Sequence, residues 1–550
     1  MVPTTPTQLA TLILAVSSLG LSSAGLQKKR FGPMLDSARK NGPQIFNSVH
    51  DAMREFGSAF HHNGMSLYPA VIPKGVLLYH GTDTKEVPKG LEWLAFEIEH
   101  AEGFARGRWR HPNDTDRKPR HPGPPPGPPG PPVVGGNMLL QDQDRPPKSP
   151  PFESNEAGHL HIYQAERPLN VVYIDGMAAG KTDMGTVDTQ DILLGGNSSR
   201  LSWDDWSRAD NLCDFVRNWN IDGVIRMEPG FEVIYCDFTD GLRLISTNKR
   251  PSMDKPGSED GMQISGFEWA RAASQRYNDI GSSRVVLDYS SVVSAFFYPI
   301  NLTNPDPERP ELPRLLGASA EELAVVREHI AESVARSISH IQAPIDWQGV
   351  TDMIVTRYAK RLALISQTDS IDIIRAEING LLNVYIDYDE TDGGLVAARQ
   401  RCTEFYFQPV QPRTSEDKLI YAAFENTTAT VCKALFKARQ LTIEDPDADE
   451  SAAVAATKQT INDLMDTLSW SVWKDCGACQ PDEVCFIAMW PMGNVEDHYN
   501  PSCQNYSSIR GRNNYWRFPG RTPVHRPPPP SPCANDQLCG EDRGLTNEEL

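Results

Sequence analysis

Gly75-Val-Leu-Leu-Tyr79-His80-Gly81-Thr82 is an apolar run that stops abruptly on a histidine and a glycine. A strand ending this way presents an imidazole beside bare backbone, a combination suited to holding a ligand. A second segment follows, Gly90-Leu-Glu-Trp93-Leu-Ala-Phe96-Glu-Ile-Glu-His-Ala101-Glu-Gly-Phe104-Ala105, which reads as a short strand running into a helix with aromatics at three points. A third comprises Ile221-Asp222-Gly223-Val224-Ile225 and then Gly230-Phe-Glu232-Val-Ile-Tyr-Cys-Asp237. There the Glu232 carboxylate stands among apolar strand residues, where burial or a ligand must account for it. Taken singly, His80 is a satisfied strand-end histidine, Trp93 and Phe104 are core, and Glu232 is a salt-bridged strand residue. Their order along the chain is what points to chemistry.

Together the three segments resemble the ADP-ribosyltransferase fold, in the branch that includes diphtheria toxin and the poly(ADP-ribose) polymerases. In that branch a strand ends in His-Gly-Ser/Thr, a Gly-x-Tyr-Phe-Ala strand leads into a helix bearing a second aromatic, and a late strand supplies a glutamate. His80-Gly81-Thr82 matches the first element directly. Gly90 and Trp93-Leu94-Ala95 match the second loosely, with one extra residue after the glycine, and Phe104 stands as the second aromatic. Glu232-Val-Ile-Tyr matches the third by pattern, and His159-Leu-His-Ile-Tyr163 reads as an intervening strand. The likeness covers about residues 70–250. It implies cleavage of the nicotinamide–ribose bond of NAD, by hydrolysis or by transfer of ADP-ribose to an unidentified acceptor. The departing nicotinamide leaves an oxocarbenium-like ribose, which needs a carboxylate placed where positive charge develops. By resemblance that carboxylate is Glu232. His80 would hold a ribose hydroxyl, the Gly81 backbone would bind the nicotinamide amide, Trp93 and Phe104 would sandwich the ring, and Thr82 would add a hydroxyl. NAD is then substrate, and no metal is expected.

One other motif invites a nucleotide reading. Val171-Val-Tyr-Ile-Asp175 is strand-like and leads to Gly176-Met-Ala-Ala-Gly180-Lys181-Thr182, but three residues separate the glycines where a phosphate-cradling loop needs four.

The chain of 550 residues is too long for one core, and its composition changes near Ser252 from Gly-punctuated, strand-like sequence to long helical periodicity. Ser319 and Glu322 form a capping box ahead of a stripe of Leu323, Val326, Ile330, Val334, Ile338 and Ile341. Further stripes run through Ile354, Tyr358, Leu362 and Ile365, through Ile371, Ile374, Ile378 and Leu381, and through Ile461, Leu464, Leu468 and Val472; all read as core faces. The expected class is therefore α+β. A β-rich, ADP-ribosyltransferase-like domain spans 70–251 with a solvated Pro-rich insert at 111–151, a mainly α-helical domain spans 252–474, a disulfide-rich cap spans 475–540, and 541–550 form a disordered tail.

Leu9 to Leu21 is an apolar run followed by Ser22, Ser23 and Ala24, the pattern of a signal peptide cleaved after Ala24. Lys28-Lys29-Arg30 beyond it is either a processing site or a solvated charge run, and residues 25–69 are a pro-segment or an N-terminal helical extension. No stretch is long and apolar enough to span a bilayer. Ten cysteines suit five disulfides in an oxidising compartment. Secretion demotes the redox or zinc reading of Cys476-Gly-Ala-Cys479 with His498 nearby. Sequons at Asn113, Asn197, Asn301, Asn426 and Asn505 fit a glycoprotein. A formal charge of −19 repels phosphate backbones, so nucleic acid is not an expected partner. The expectation is a secreted NAD-cleaving enzyme. The alternatives are a non-catalytic binding or cell-wall-associated glycoprotein retaining the fold, and a secreted hydrolase with its site in the helical half.

Overall fold

The computed structural model describes residues 31–105, 158–195, 204–250, 266–276, 284–339, 345–389, 394–444, 449–509 and 514–517. The expected signal peptide, the Pro-rich insert, the C-terminal tail, Cys533 and Cys539 lie outside these residues. The described chain is mixed α and β. Its main sheet has ten strands: β1 Ser66–Ile72, β2 Leu77–Thr82, β3 Glu92–Ala95, β4 His159–Ala165, β5 Leu169–Ile174, β6 Gly223–Met227, β7 Phe231–Tyr235, β8 Leu242–Lys249, β9 Val286–Leu287 and β10 Val293–Ser294. The order is β10-β1-β5-β6-β7-β3-β2-β4-β8, with β9 also on β1. Every residue of β6 and β7 is buried, as expected of central strands covered on both faces. β8, at the edge, alternates half-buried and exposed positions along its first half and carries Lys249 at its end. Among the described residues only β5 and β6 pair in parallel, and their crossover runs through the π-helix Thr189–Leu194 and a long helix, Asp205–Arg217.

Two sequence boundaries shift. β1 starts at Ser66 and pairs along its length with β5, so a domain edge at residue 70 falls inside a strand. β9 and β10 pair with β1, so the sheet continues past Ser252.

The helices up to the cap, in chain order, are α1 Leu35–Lys40, α2 Gly42–His50, α3 Glu55–Phe60, α4 Ile98–Glu102, α5 Asp205–Arg217, α6 Gly266–Arg271, α7 Ala320–Ser339, α8 Trp347–Gln367, α9 Ile371–Leu382, α10 Gly394–Glu404, α11 Ser415–Arg439 and α12 Glu450–Leu468, and the short helices Val495–Tyr499 and Tyr506–Ile509 lie in the cap. The expected capping box opens α7: Ser319 N–H donates to Glu322 Oε2 at 2.8 Å and Glu322 N–H to Ser319 Oγ at 3.2 Å. The apolar stripes of α8, α9 and α12 are buried through Ile354 and Leu362, Ile374 and Ile378, and Ile461 and Leu464. Each such side chain contributes roughly 1.5–3 kcal/mol by leaving water. The ends of the stripes escape, since Ile338 is 40% and Val472 38% exposed. α11 lies at the centre of this half, packing against α1, α2, α10 and α12. The N-terminal helices are thus part of the folded body.

Four disulfides join eight of the ten cysteines: Cys213–Cys236 ties α5 to the end of β7, Cys402–Cys432 ties α10 to α11, and Cys476–Cys485 with Cys479–Cys503 brace the cap. Cys476 and Cys479 thus bond to different partners and form neither a redox pair nor a zinc half-site. His498 is buried against Tyr515 and His62.

Asp51 fastens the N-terminal helices to the turn Ser471–Lys474 that follows α12. Its Oδ1 accepts from Ser471 Oγ and meets His50 Nδ1, and its Oδ2 meets His61 Nδ1, all at 2.8 Å. Burial pushes its pKa up, but hydrogen bonds and charge from His50 and His61 outweigh burial and hold it well below the usual carboxylate range. The stabilisation is therefore complete above the unfolded aspartate pKa of about 3.9 and fades as pH falls below it. Asp51→Asn is expected to cost about 3 to 5 kcal/mol at neutral pH in urea unfolding, with the deficit shrinking in acid.

Candidate functional site

Directly opposed residues of antiparallel strands share a face of the sheet. Tyr79 of β2 opposes Ala95 of β3, Ala95 opposes Glu232 of β7, and Glu232 opposes Arg226 of β6. This row of four runs beneath α4, which follows β3 and sets His100 over the carboxylates. His100 Nε2 lies 3.2 Å from Glu228 Oε1 and 3.9 Å from Glu232 Oε2, while its Nδ1 lies 3.6 Å from Glu97 Oε2. Gly230 permits this approach, because a Cβ there would stand 2.8 Å from Glu97 Oε2. Arg226 Nε donates to Glu232 Oε1 at 2.7 Å, and its other nitrogens donate to both oxygens of Asp205 and to Gln190. Lys181 Nζ stands 3.3 Å from Asp205 and 3.4 Å from Glu228, over the ring of Trp490. The lysine of the loop that resembles a phosphate cradle is thus turned into this cluster.

The cluster is almost dry, with Glu97 and Arg226 at 0% and Glu228 and His100 at 2% exposure. Burial raises the Glu232 pKa, with the Glu228 charge adding to it against Arg226. For Glu228, Lys181 and His100 outweigh burial and keep it ionised. Burial opposes a proton on His100, but Glu228 and Glu97 prevail and push it up to about 10. Two neighbouring carboxylates driven in opposite directions are the arrangement by which one group serves as acid and the other as charge stabiliser. Glu55 of α3 lies close enough to Glu97 to feel its charge; it is fully buried and neither oxygen has a hydrogen-bond partner among the described residues.

The residues singled out from sequence divide between the two faces. Glu232 is in the cluster, and Phe104 lies against His100 at 5.8 Å between ring centres. Trp93 shares the face but packs edge-on against Trp206 at 4.6 Å. His80, one residue along from Tyr79, points to the opposite face. There its Nδ1 bonds to the Trp93 carbonyl at 2.7 Å and its ring packs on Phe238 and His161. Burial pulls its pKa down to about 4, so the ring is neutral. The Gly81 backbone is covered, since a Cβ there would sit 2.0 Å from the Ala101 carbonyl oxygen and 2.6 Å from Ala105 N. Thr82 ends β2 opposite His159 and accepts from Thr84 N–H. Strand alternation therefore sets His80 and Glu232 on opposite faces of the sheet. His100, Glu97, Glu228, Lys181, Asp205, Arg226 and Glu55 went unread. Charges four and six residues before Glu232, at Glu228 and Arg226 in an apolar strand pair, mark two of them in the sequence.

Burial, and then Glu97, raise the Glu55 pKa to about 8, so its proton is held more tightly folded than unfolded. Its contribution is complete below the unfolded glutamate value of about 4.3 and is lost as pH rises through about 8. Glu55→Gln is expected to flatten the fall in melting temperature of the wild type between those limits, read by thermal unfolding across pH.

Residues 34–256 match the family model described as the YPL277C N-terminal domain. That span takes in β1 to β8 and every residue of the cluster. The chain is similar to the uncharacterized protein YOR389W of Saccharomyces cerevisiae (strain ATCC 204508 / S288c), at 27% identity over 541 residues covering 83% of each. It is also similar to the uncharacterized protein YPL277C of the same organism, at 28% identity over 387 residues covering 59% of this chain and 75% of that one. No solved structure matches.

Proposed function

We propose that this chain is a secreted enzyme that cleaves the nicotinamide–ribose bond of NAD, with Glu232 as the catalytic carboxylate. The observation that carries the reading is the adjacency of β2, β3 and β7, the three segments of the ADP-ribosyltransferase-like pattern, with Glu232 in a buried acid–base cluster beside Phe104. In hydrolysis the C–N bond breaks with its electron pair leaving on nicotinamide. Water supplies hydroxyl to the ribose carbon, and a proton is released. Glu232 stabilises the cationic ribose, and Glu228 and His100 tune its protonation. Disulfides support the secreted half of the reading, since they persist in oxidising compartments. The substrate outside a cell is NAD leaked from other cells.

A second reading is a non-catalytic secreted binding protein on the same fold. It is favoured by the placement of His80 opposite Glu232 and by the covered Gly81 backbone.

Nicotinamide release from NAD, followed by chromatography, separates the two. The enzymatic reading expects turnover that Glu232→Gln lowers by about 100- to 1,000-fold; absence of release by the folded wild type leaves the binding reading. Secretion predicts a glycan at Asn301, which is exposed, and a mass loss on N-glycosidase treatment that Asn301→Gln reduces by one glycan.

A further inference from the structure

The two carboxylates nearest His100 divide their oxygens in the same way. Glu228 turns Oε2 to Lys181 and Oε1 to His100 Nε2, at 3.4 and 3.2 Å. Glu232 turns Oε1 to Arg226 and Oε2 toward the same nitrogen, at 2.7 and 3.9 Å. One nitrogen and two oxygens therefore face a common point, all within 4.8 Å of one another and all buried. The outer oxygens are held by cations whose charge Asp205 already shares, at 3.3 Å from Lys181 and 2.5 Å from Arg226.

The histidine is oriented from behind. Glu97 Oε1 accepts from Phe231 N–H at 2.9 Å, which leaves Oε2 beside His100 Nδ1. A carboxylate behind the far ring nitrogen is the usual support of a metal-binding histidine, since it fixes which nitrogen offers its lone pair. Neither Glu97 Oε2 nor His100 Nδ1 has a hydrogen-bond partner among the described residues, nor does either oxygen of the buried Glu55 beside them.

We propose that His100 Nε2, Glu228 Oε1 and Glu232 Oε2 form a zinc site, oriented by Glu97, Lys181 and Arg226. Tetrahedral zinc with bonds of about 2.1 Å sets its ligand atoms roughly 3.4 Å apart. His100 and Glu228 already meet that spacing, the His100–Glu232 separation exceeds it by roughly half an ångström, and all three atoms lie within 4.8 Å of one another. One imidazole with two carboxylates is a donor set zinc accepts; the ion takes the place of the proton on His100 Nε2, which is released on binding, and three protein ligands leave the fourth position to water. The site stands whether or not the chain cleaves NAD, because it is defined by binding.

The test is calorimetric titration of the untagged, chelator-stripped full chain with Zn2+, beside Co2+ absorption spectroscopy. The expected result is one ion per chain, with tetrahedral Co2+ bands and no sulfur-to-metal charge-transfer band. His100→Ala and Glu228→Gln are expected to weaken binding by at least 100-fold, and Glu97→Gln by about 10- to 100-fold with the site still formed. Failure of the wild type to bind, a thiolate charge-transfer band, or undiminished binding by folded His100→Ala overturns the proposal. Should a variant fail to fold, the wild-type cobalt spectrum still decides.

Discussion

A guanidinium with no water around it must find its counter-charges inside the protein, and Arg226 finds them on three elements. It bridges Asp205 at the start of α5 and Glu232 on β7, and it reaches Gln190 on the π-helix of the crossover. Removing either carboxylate leaves buried positive charge short of its counter-charge, which costs far more than the pair gains over an apolar replacement. β6, β7 and the crossover between β5 and β6 are therefore held in one geometry. Arg208 extends the constraint, pairing with both Asp205 and Asp191. The carboxylates that face His100 take their orientation from this lattice.

The same logic of buried charge joins the parts of the chain that sequence composition separates. Glu416 at the start of α11 meets His329 at 2.6 Å and Arg336 at 2.8 Å, both on α7. Asp417, next to it, closes the capping box with Thr414 and accepts from Trp347 Nε1 of α8. Arg54 ahead of α3 forms a bidentate pair with Asp352 of α8. With β9 and β10 completing the sheet on β1, the helical half and the β-rich half share elements along their boundary.

Much of the helical half was legible. The stripes of α7, α8, α9 and α12 have the helical period and are buried along their middle turns, and Ser319 with Glu322 caps as its spacing requires. Amphipathic period is a local property, so local sequence suffices. The strand pattern around His80, Trp93 and Glu232 was legible too, and the sheet sets all three strands side by side. What the pattern left open was the assignment of faces. Side chains alternate with a period of two, so a one-residue offset between Tyr79 and His80 decides which of them meets Glu232.

By itself, then, the sequence determined the α+β class, the helical core faces, the glycine spacing that fails a phosphate cradle, and Glu232 as a carboxylate standing in an apolar strand. Only the tertiary structure decided what surrounds that carboxylate. His100 arrives from α4, Lys181 from the loop after β5, Asp205 from α5 and Glu55 from α3, at sequence separations no local pattern encodes. Strand register and the crossover bring them together, and the cost of leaving charge unpaired in a dry interior keeps them there.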